Sequence, residues 1–322
     1  MIELEHGGGG FKNNELIREL REIINLKTSW SNTEDDAAIY DLGDQKLVFT
    51  TDAFIVDPIF FPGGDIGKIA TCGTINDLVV MGTKPLGLSL SVVIEEGFAK
   101  KDLFKIAESI DKVSKETNIP IVTGDTKVID KGKLDKIEIT TAGVGLTKKV
   151  IDNGGAKVGD NIITSGDLGE HGVTLLAYRF DYQTEIKSDC QPLWAEFQAV
   201  GHLLNAAKDP TRGGVAANIN EIAEKSKVKI ILDEDKLPYK KEVIALTELL
   251  GIELFNLPSE GRFIAAVSEE NTEETLKKLQ EFNPEAKVIG KCVEGEGVFL
   301  KTKLGSERRI EEPKGKLIPR IC

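Results

Sequence analysis

The feature that most limits how this chain can fold is a strand that runs into a carboxylate, and its first half contains two of them. Lys46-Leu47-Val48-Phe49-Thr50-Thr51-Asp52 is rich in β-branched and aromatic residues and ends on Asp52. Ile119-Pro120-Ile121-Val122-Thr123 reads the same way and terminates in Gly124-Asp125-Thr126-Lys127. Helical segments separate the strands. One follows the turn Phe60-Phe61-Pro62-Gly63-Gly64-Asp65 with Asp65 as its cap and runs to about Met81; another spans Lys101 to Thr117. Further strands fall at Leu88–Ile94 and Ile137–Val144. This alternation places the chain in the α/β (α+β) class. At 322 residues it exceeds one ordinary core, so two domains are expected.

The expected divisions are an N-terminal segment 1–34, a first domain 35–147, a second α/β domain 148–305 and a flexible tail 306–322. The N-terminal segment holds His6-Gly7-Gly8-Gly9-Gly10, which disfavours regular structure and reads as a mobile loop, either a linker or a lid whose amides close over an anion. A helix with Leu16, Ile17, Leu20, Ile23 and Ile24 on one face follows, from about Asn14 to Leu26. In the second domain the strand Asn161–Thr164 leads through Ser165–Gly172 into a helix from Val173. Asp209-Pro210 reads as the cap and first residue of a helix over Val215–Lys225, with Thr211-Arg212-Gly213-Gly214 offering amides to an anion. Strands are expected at Phe263–Val267 and Gly297–Thr302, the latter as the last.

Composition removes several functions. A net charge of −12 argues against a nucleic-acid surface, which needs excess Lys and Arg. No apolar run approaches the ~20 residues of a membrane span and no signal-peptide core is visible, so a cytoplasmic protein is expected. Cys72, Cys190, Cys292 and Cys322 form no CxxC, which disfavours a zinc ribbon or a thioredoxin-type site. A P-loop fails twice: Gly63 and Gly67 enclose too few residues, and Ile69, not a hydroxyl residue, follows Lys68. Gly143-Val144-Gly145 does not continue into GxGxxG. Abundant Lys, Glu and Ile with few Met hint at a thermophile.

Two positive signals remain. Asp36, Asp52, Asp77 and Asp125 recur at strand ends or polar helix positions, with Thr50, Thr51 and Asn76 beside them. Clustered carboxylates repel unless a cation joins them, and Mg²⁺ takes a few carboxylates together with substrate phosphates. The expectation is a metal-bridged nucleoside triphosphate site without a P-loop. The second signal is the terminal Pro319-Arg320-Ile321-Cys322, whose thiol has no downstream chain to bury it. It is not a prenylation signal, because the Cys is the last residue. Fully extended from Ser306, the tail could span roughly 50 Å, so it reads as an arm that carries the sulfur to a pocket.

Asp35-Asp36-Ala37-Ala38, Thr50-Thr51-Asp52, Asn76-Asp77-Leu78 and Gly124-Asp125-Thr126-Lys127 resemble the aminoimidazole ribonucleotide synthase superfamily over essentially the whole chain. Phe60–Lys68, Asp209–Gly214 and the terminal Pro-Arg-Ile-Cys resemble one branch of it, the HypE hydrogenase maturation factors. Pro258-Ser259-Glu260-Gly261 stands where that branch has Ala-Asn-Glu-Gly, with the Glu kept.

The resemblance implies a two-domain, homodimeric enzyme that uses ATP and Mg²⁺ on its own C-terminus. HypF would carbamoylate Cys322, ATP would activate the carboxamide oxygen, and loss of phosphate would leave an S-cyanide for the HypC–HypD complex. It implies Cys322, Lys127 and Glu260 as catalytic residues, the latter two for proton handling, with His171 a further candidate. It implies Asp36, Thr51, Asp52, Asn76, Asp77, Gly124, Asp125, Thr126 and Arg212 at the nucleotide, and Asp36, Asp52, Asp77 and Asp125 at the metal. Two other readings stay open. One is a small-molecule kinase or ligase like thiamine monophosphate kinase or selenophosphate synthetase, although His6–Gly10 lacks the reactive Cys of the latter. The other is a nucleotide-binding scaffold whose tail docks a partner.

Overall fold

Residues 1–8, 10–24, 29–33, 35–313 and 320–322 are described by the computed structural model. In chain order the first half runs α1 (Phe11–Ile24), β1 (Trp30–Ser31), β2 (Ala38–Asp41), β3 (Lys46–Phe54), a hairpin of β4 (Phe60–Phe61) and β5 (Gly64–Asp65), α2 (Ile66–Val80), β6 (Lys84–Glu95), α3 (Lys100–Thr117), β7 (Ile121–Ile129) and β8 (Ile137–Thr147). One sheet takes these strands in the order β1-β2-β3-β8-β6-β7, parallel only between β6 and β7. Alternation gives each long strand two faces. Val48, Thr50, Ile139 and Thr141 point to the covered side, and α2 lies across β3 and β8 there. α2 is apolar nearly all round, as a helix enclosed on every side must be. Asp65 caps it by accepting from the amides of Gly67 and Lys68.

The second half runs β9 (Asn161–Thr164), α4 (Glu170–Arg179), α5 (Trp194–Val200), β10 (Leu204–Lys208), α6 (Gly214–Ser226), β11 (Lys229–Asp233), α7 (Lys241–Leu250), β12 (Ile264–Val267), α8 (Glu269–Leu279), β13 (Lys287–Val293), β14 (Gly297–Lys301) and β15 (Glu307–Ile310). Its sheet has the order β10-β12-β9-β13-β11-β14-β15. One apolar core continues across the junction, from Ile69 and Ile75 of α2 to Phe263, Ala265 and Leu279. Ile162, Ile219, Ile230 and Val298 belong to a second core within this half. Among the described residues no helix is long and apolar enough to cross a membrane.

Four expectations change. The strand expected to stop at Thr123 continues as β7 to Ile129, because it pairs with β6 as far as Glu95. Asp125 therefore lies inside an edge strand, not at its end. Gly297–Lys301 is not the last strand, since Glu307–Ile310 turns back and pairs with it; any tail begins beyond Ile310. Asp209-Pro210 does not cap α6. Gly213 and Gly214 both take positive φ, and a Cβ on Gly214 would stand 2.5 Å from the Leu257 carbonyl oxygen, so the helix starts only at Gly214. The glycine run is not wholly irregular: Leu4–Gly7 form a 3₁₀ turn closed by mutual hydrogen bonds between Glu3 and His6. Gly9, Leu26 and Pro319 lie outside the described residues.

Candidate active site

Between the two halves, three carboxylates meet. Asp36 precedes β2, Asp77 lies on α2 and Asp209 directly follows β10; each brings an oxygen within 4.8 Å of the others. Oδ2 of Asp36 and Oδ2 of Asp209 are buried without a hydrogen-bond partner. Burial, then Asp52, Asp209 and Asp36, hold the Asp77 carboxyl well above its ordinary value. Burial and then Asp36 push Asp209 up to about 7. Two cations partly offset the charge. Lys208 Nζ bonds Asp36 and lies 3.2 Å from Glu221 of α6, and Lys225 bonds Glu221 at 2.8 Å. Orphaned, inward carboxylate oxygens of this kind are the donor set of a hard divalent cation.

Strand alternation decides which β3 side chains reach this cluster. Thr50 and Asp52 share its face: Thr50 Oγ1 donates to Asp77 Oδ2 at 3.0 Å, and Asp52 raises the Asp77 carboxyl through its charge. Thr51 points to the opposite, solvent-open face and bonds the Thr141 carbonyl, away from this cluster. Asn76 is also committed elsewhere. Its amide donates to the carbonyls of Gln191 and Glu260, and its oxygen accepts from the Leu193 amide at 2.8 Å. It fastens α2 to the second half, which is the reason a fully buried Asn stands in a helix interior.

The chain's end lies in the same cleft. The Ile55 amide donates to the Cys322 carbonyl at 3.2 Å and the Asp57 amide to the Arg320 carbonyl at 3.1 Å, so the last three residues add themselves beside the segment after β3. The Ile321 side chain is buried in the shared core. The Glu260 carboxyl acts on the Cys322 thiol through its charge, and Arg212 lies in the field of Cys322, Asp52, Asp77 and Glu260. Burial, then Glu260, pushes the thiol far above its usual range, so in this position it is protonated. Glu260 is nearly inaccessible and its Oε1 has no partner; burial, then Cys190, Asp209 and Asp189, holds its carboxyl well above the usual value. Its backbone is fixed on both sides, the amide to Asp189 Oδ1 at 2.8 Å and the carbonyl to Asn76. In Pro258-Ser259, Ser259 Oγ accepts from the Gly169 amide, holding the loop without the family's Asn.

The remaining expected residues are not part of this gathering within one chain. Gly124, Asp125, Thr126 and Lys127 are exposed on edge strand β7, where Lys127 pairs with Asp125 at 3.0 Å. Sequence reasoning missed Asp209 and Lys208 as members of the cluster, and named Thr50 only as a neighbour of the carboxylates. Asp209 carries the signal that identified Asp52, a strand ending on Asp, but was read as a helix cap. Lys208 had no signal of its own.

The fold and this cleft define a two-domain protein of the aminoimidazole ribonucleotide synthase class. The model of AIR synthase related protein, N-terminal domain, matches residues 34–147, and that of the C-terminal domain matches 157–303. A putative hydrogenase expression/formation protein of Methanocaldococcus jannaschii is 44% identical, the match covering 98% of each chain. The carbamoyl dehydratase HypE of Rhizobium leguminosarum bv. viciae is 38% identical over 100% of this chain and 95% of its own. Two solved structures superpose closely. One is of a HypE–HypF complex, with TM-score 0.86, 37% identity and 92% of this chain and 99% of the other covered. The second is of HypE in complex with ATP, with TM-score 0.83, 34% identity and both chains covered completely. The chain belongs to the HypE family of carbamoyl dehydratases.

Proposed function

We propose that this chain dehydrates a carboxamide carried on its own Cys322 to the S-cyanide, at the expense of ATP. The observation that carries the reading is the docking of residues 320–322 beside the segment after β3, which brings Cys322 into the cleft that holds Glu260, Arg212 and the carboxylate cluster. Relatives bearing the carbamoyl dehydratase name, and a relative solved with ATP, support it.

The amide oxygen is a poor leaving group, and transfer of the γ-phosphoryl group to it makes departure as phosphate possible. As the C–O bond breaks, the carbon–nitrogen bond becomes a nitrile and both amide protons leave. Glu260 in its ionised form, made more basic than an ordinary carboxylate by burial, takes a proton from the nitrogen. Arg212 stabilises negative charge on the transferring phosphoryl group. Asp36, Asp77 and Asp209 would hold Mg²⁺, with Asp52 flanking them; when bound it neutralises phosphate charge and orients the nucleotide. The docked backbone of residues 320–322 fixes the reacting group relative to Glu260, converting a bimolecular encounter into an intramolecular one.

The carbamoyl donor is assigned as HypF, which a relative binds, and the cyanide acceptor as the HypC–HypD complex that builds the iron centre of [NiFe]-hydrogenase. The chain is assigned as a homodimer. β7 is an edge strand whose residues after Ile121 are all exposed, with Val122 at 63% and Val128 at 70%. A second copy over this sheet places Gly124, Asp125, Thr126 and Lys127 in the seam, where they serve the nucleotide and proton transfer. The test is intact mass after incubation with HypF, carbamoyl phosphate, ATP and Mg²⁺. The expected result is a carbamoyl adduct on Cys322 that then loses one water. An adduct on Cys72, Cys190 or Cys292, or a carbamoyl adduct that never loses water, overturns the reading.

A further inference from the structure

We propose that His171 and Arg179 of α4 form a latch that holds residues 320–322 in the cleft and thereby sets how often Cys322 is presented for dehydration rather than for charging. The proposal rests on the function just given, because that function demands two positions of one sulfur: docked at Glu260, and accessible to an external carbamoyl donor.

Docking joins the buried Ile321 side chain and an Arg320–Asp135 ion pair at 2.7 Å to hydrogen bonds made by the tail's carbonyls. Apart from the two amides after β3, its carbonyls are met by α4. His171 Nε2 lies 2.7 Å from the Ile321 carbonyl oxygen, and Arg179 bonds the Arg320 carbonyl while its Nε donates to the Asp57 carbonyl at 2.5 Å. Arg179 thus ties the tail to the segment it augments. The His171 tautomer follows from its partners. Nε2 faces a carbonyl, which only accepts, so it carries the proton; Nδ1, 2.8 Å from Ser188 Oγ, accepts from that hydroxyl. Ser188 Oγ is free to donate there because it accepts from the Cys190 amide at 3.1 Å.

The Phe60–Gly64 hairpin, which the proposed chemistry leaves without a role, completes the latch. The Pro62 carbonyl accepts from the Ser188 amide at 2.9 Å. Phe61 stands edge-on to the His171 ring, with centroids 5.5 Å apart. Gly63 has φ of +97°, and a Cβ there would lie 2.7 Å from the Ser188 carbonyl oxygen, so only glycine lets the hairpin close on Ser188. The chain of contacts runs from hairpin to Ser188 to His171 to the tail. The ring is fully buried, and burial lowers its pKa to about 4, so it stays a neutral donor in the working range. Holding the tail also keeps Arg320 at φ +53°, a strained backbone for an Arg that the latch must offset. The docked thiol is partly buried and its pKa is raised by burial and Glu260, hence a poor nucleophile, and charging requires release.

The test compares the full chain with His171→Phe, His171→Gln and Arg179→Met, without nucleotide or HypF, by the rate at which iodoacetamide alkylates Cys322, mapped by peptide mass. Loss of one buried hydrogen bond is expected to speed alkylation about five- to tenfold in His171→Phe and Arg179→Met. His171→Gln, which keeps a donor of similar reach, should return close to the parent rate. Single-turnover dehydration of the carbamoylated chains should slow by a similar factor while carbamoylation by HypF quickens. This opposition of sign is something a merely structural defect does not produce. Should His171→Phe fail to fold, Arg179→Met alone decides. An unchanged alkylation rate, a His171→Gln variant that behaves like His171→Phe, or alkylation spreading to Cys72, Cys190 and Cys292 overturns the latch. A parent protein that never dehydrates while the alkylation pattern holds overturns the assigned reaction and leaves the latch standing.

Discussion

Replacing Glu260 with Gln separates the chemistry of the cleft from its architecture. Gln fills the same volume, and the backbone bonds of residue 260 to Asp189 and Asn76 are untouched by the exchange. The exchange removes a group that can accept a proton, together with its charge near Arg212. A positioned general base contributes about 10²–10⁴-fold, or about 3–5 kcal/mol of barrier. Stability should move little. The carboxyl is nearly inaccessible, and burial with Cys190, Asp209 and Asp189 makes its ionised, base-competent form costly, so exchanging it for an amide removes no net stabilising charge. A neutral amide in its place should alter stability by no more than about 1 kcal/mol, a few degrees at most in Tm. The assay is a single turnover of the carbamoylated protein with ATP, following the loss of one water by intact mass, with Tm and nucleotide binding measured on the same sample. E260Q should accumulate as the carbamoyl form, still binding ATP. A dehydration rate within about threefold of the parent refutes the base assignment. So does a loss of rate matched by loss of ATP binding and of several kcal/mol of stability, which would make Glu260 structural.

Three further outcomes follow from the cleft and the open sheet. Asp77 and Asp36 titrate above their ordinary value and Asp209 at about 7, so the metal-free folded chain binds more protons than the unfolded one between about pH 4 and 7. Its stability should therefore fall as pH rises through that window. Added Mg²⁺ should raise Tm more at pH 8 than at pH 6, and Asp209→Asn should remove most of the increment; equal increments throughout would refute the metal assignment. Lys208→Met strands Asp36 as a buried anion and should cost about 3–5 kcal/mol in urea unfolding, part of which Asp36→Asn in the same chain restores. A cost below 1 kcal/mol would show that water replaces the ammonium. Val128→Asp, at a side chain exposed in the single chain, should convert a dimer to a monomer in sedimentation velocity with little loss of Tm; an unchanged sedimentation coefficient rejects β7 as the seam.

The periodic and compositional signals carried the class of fold and most of its elements. α3, β9 and α6 lie within about a residue of their expected bounds, because each pairs a clear apolar pattern with a turn or cap. The errors concentrate where partners are distant in sequence. β7 outruns its own apolar run because β6 continues beside it, and β15 is the mostly charged run Glu307-Arg308-Arg309-Ile310, with no apolar pattern to announce it, but finds β14 as a partner. Thr51 and Thr50 are chemically the same, and only the register of β3 against β8 turns the second toward Asp77.

The misreading of Asn76 shows what limits such inference about a site. A polar residue inside an otherwise apolar helix signals that something binds it, and both a metal and a distant backbone meet that condition. The donors and acceptors that settle the matter belong to Gln191, Leu193 and Glu260, more than a hundred residues away. The same holds for Asp209, which a local rule makes a helix cap. Two glycines in left-handed conformation, forced by the carbonyls of Phe255 and Leu257, withdraw the helix from it and leave its carboxylate to Asp36 and Asp77. Local propensity identifies groups that need a partner. Which partner they get is decided by packing between the halves, and that is why the cluster straddles their junction, where each half alone would leave its own carboxylates to water.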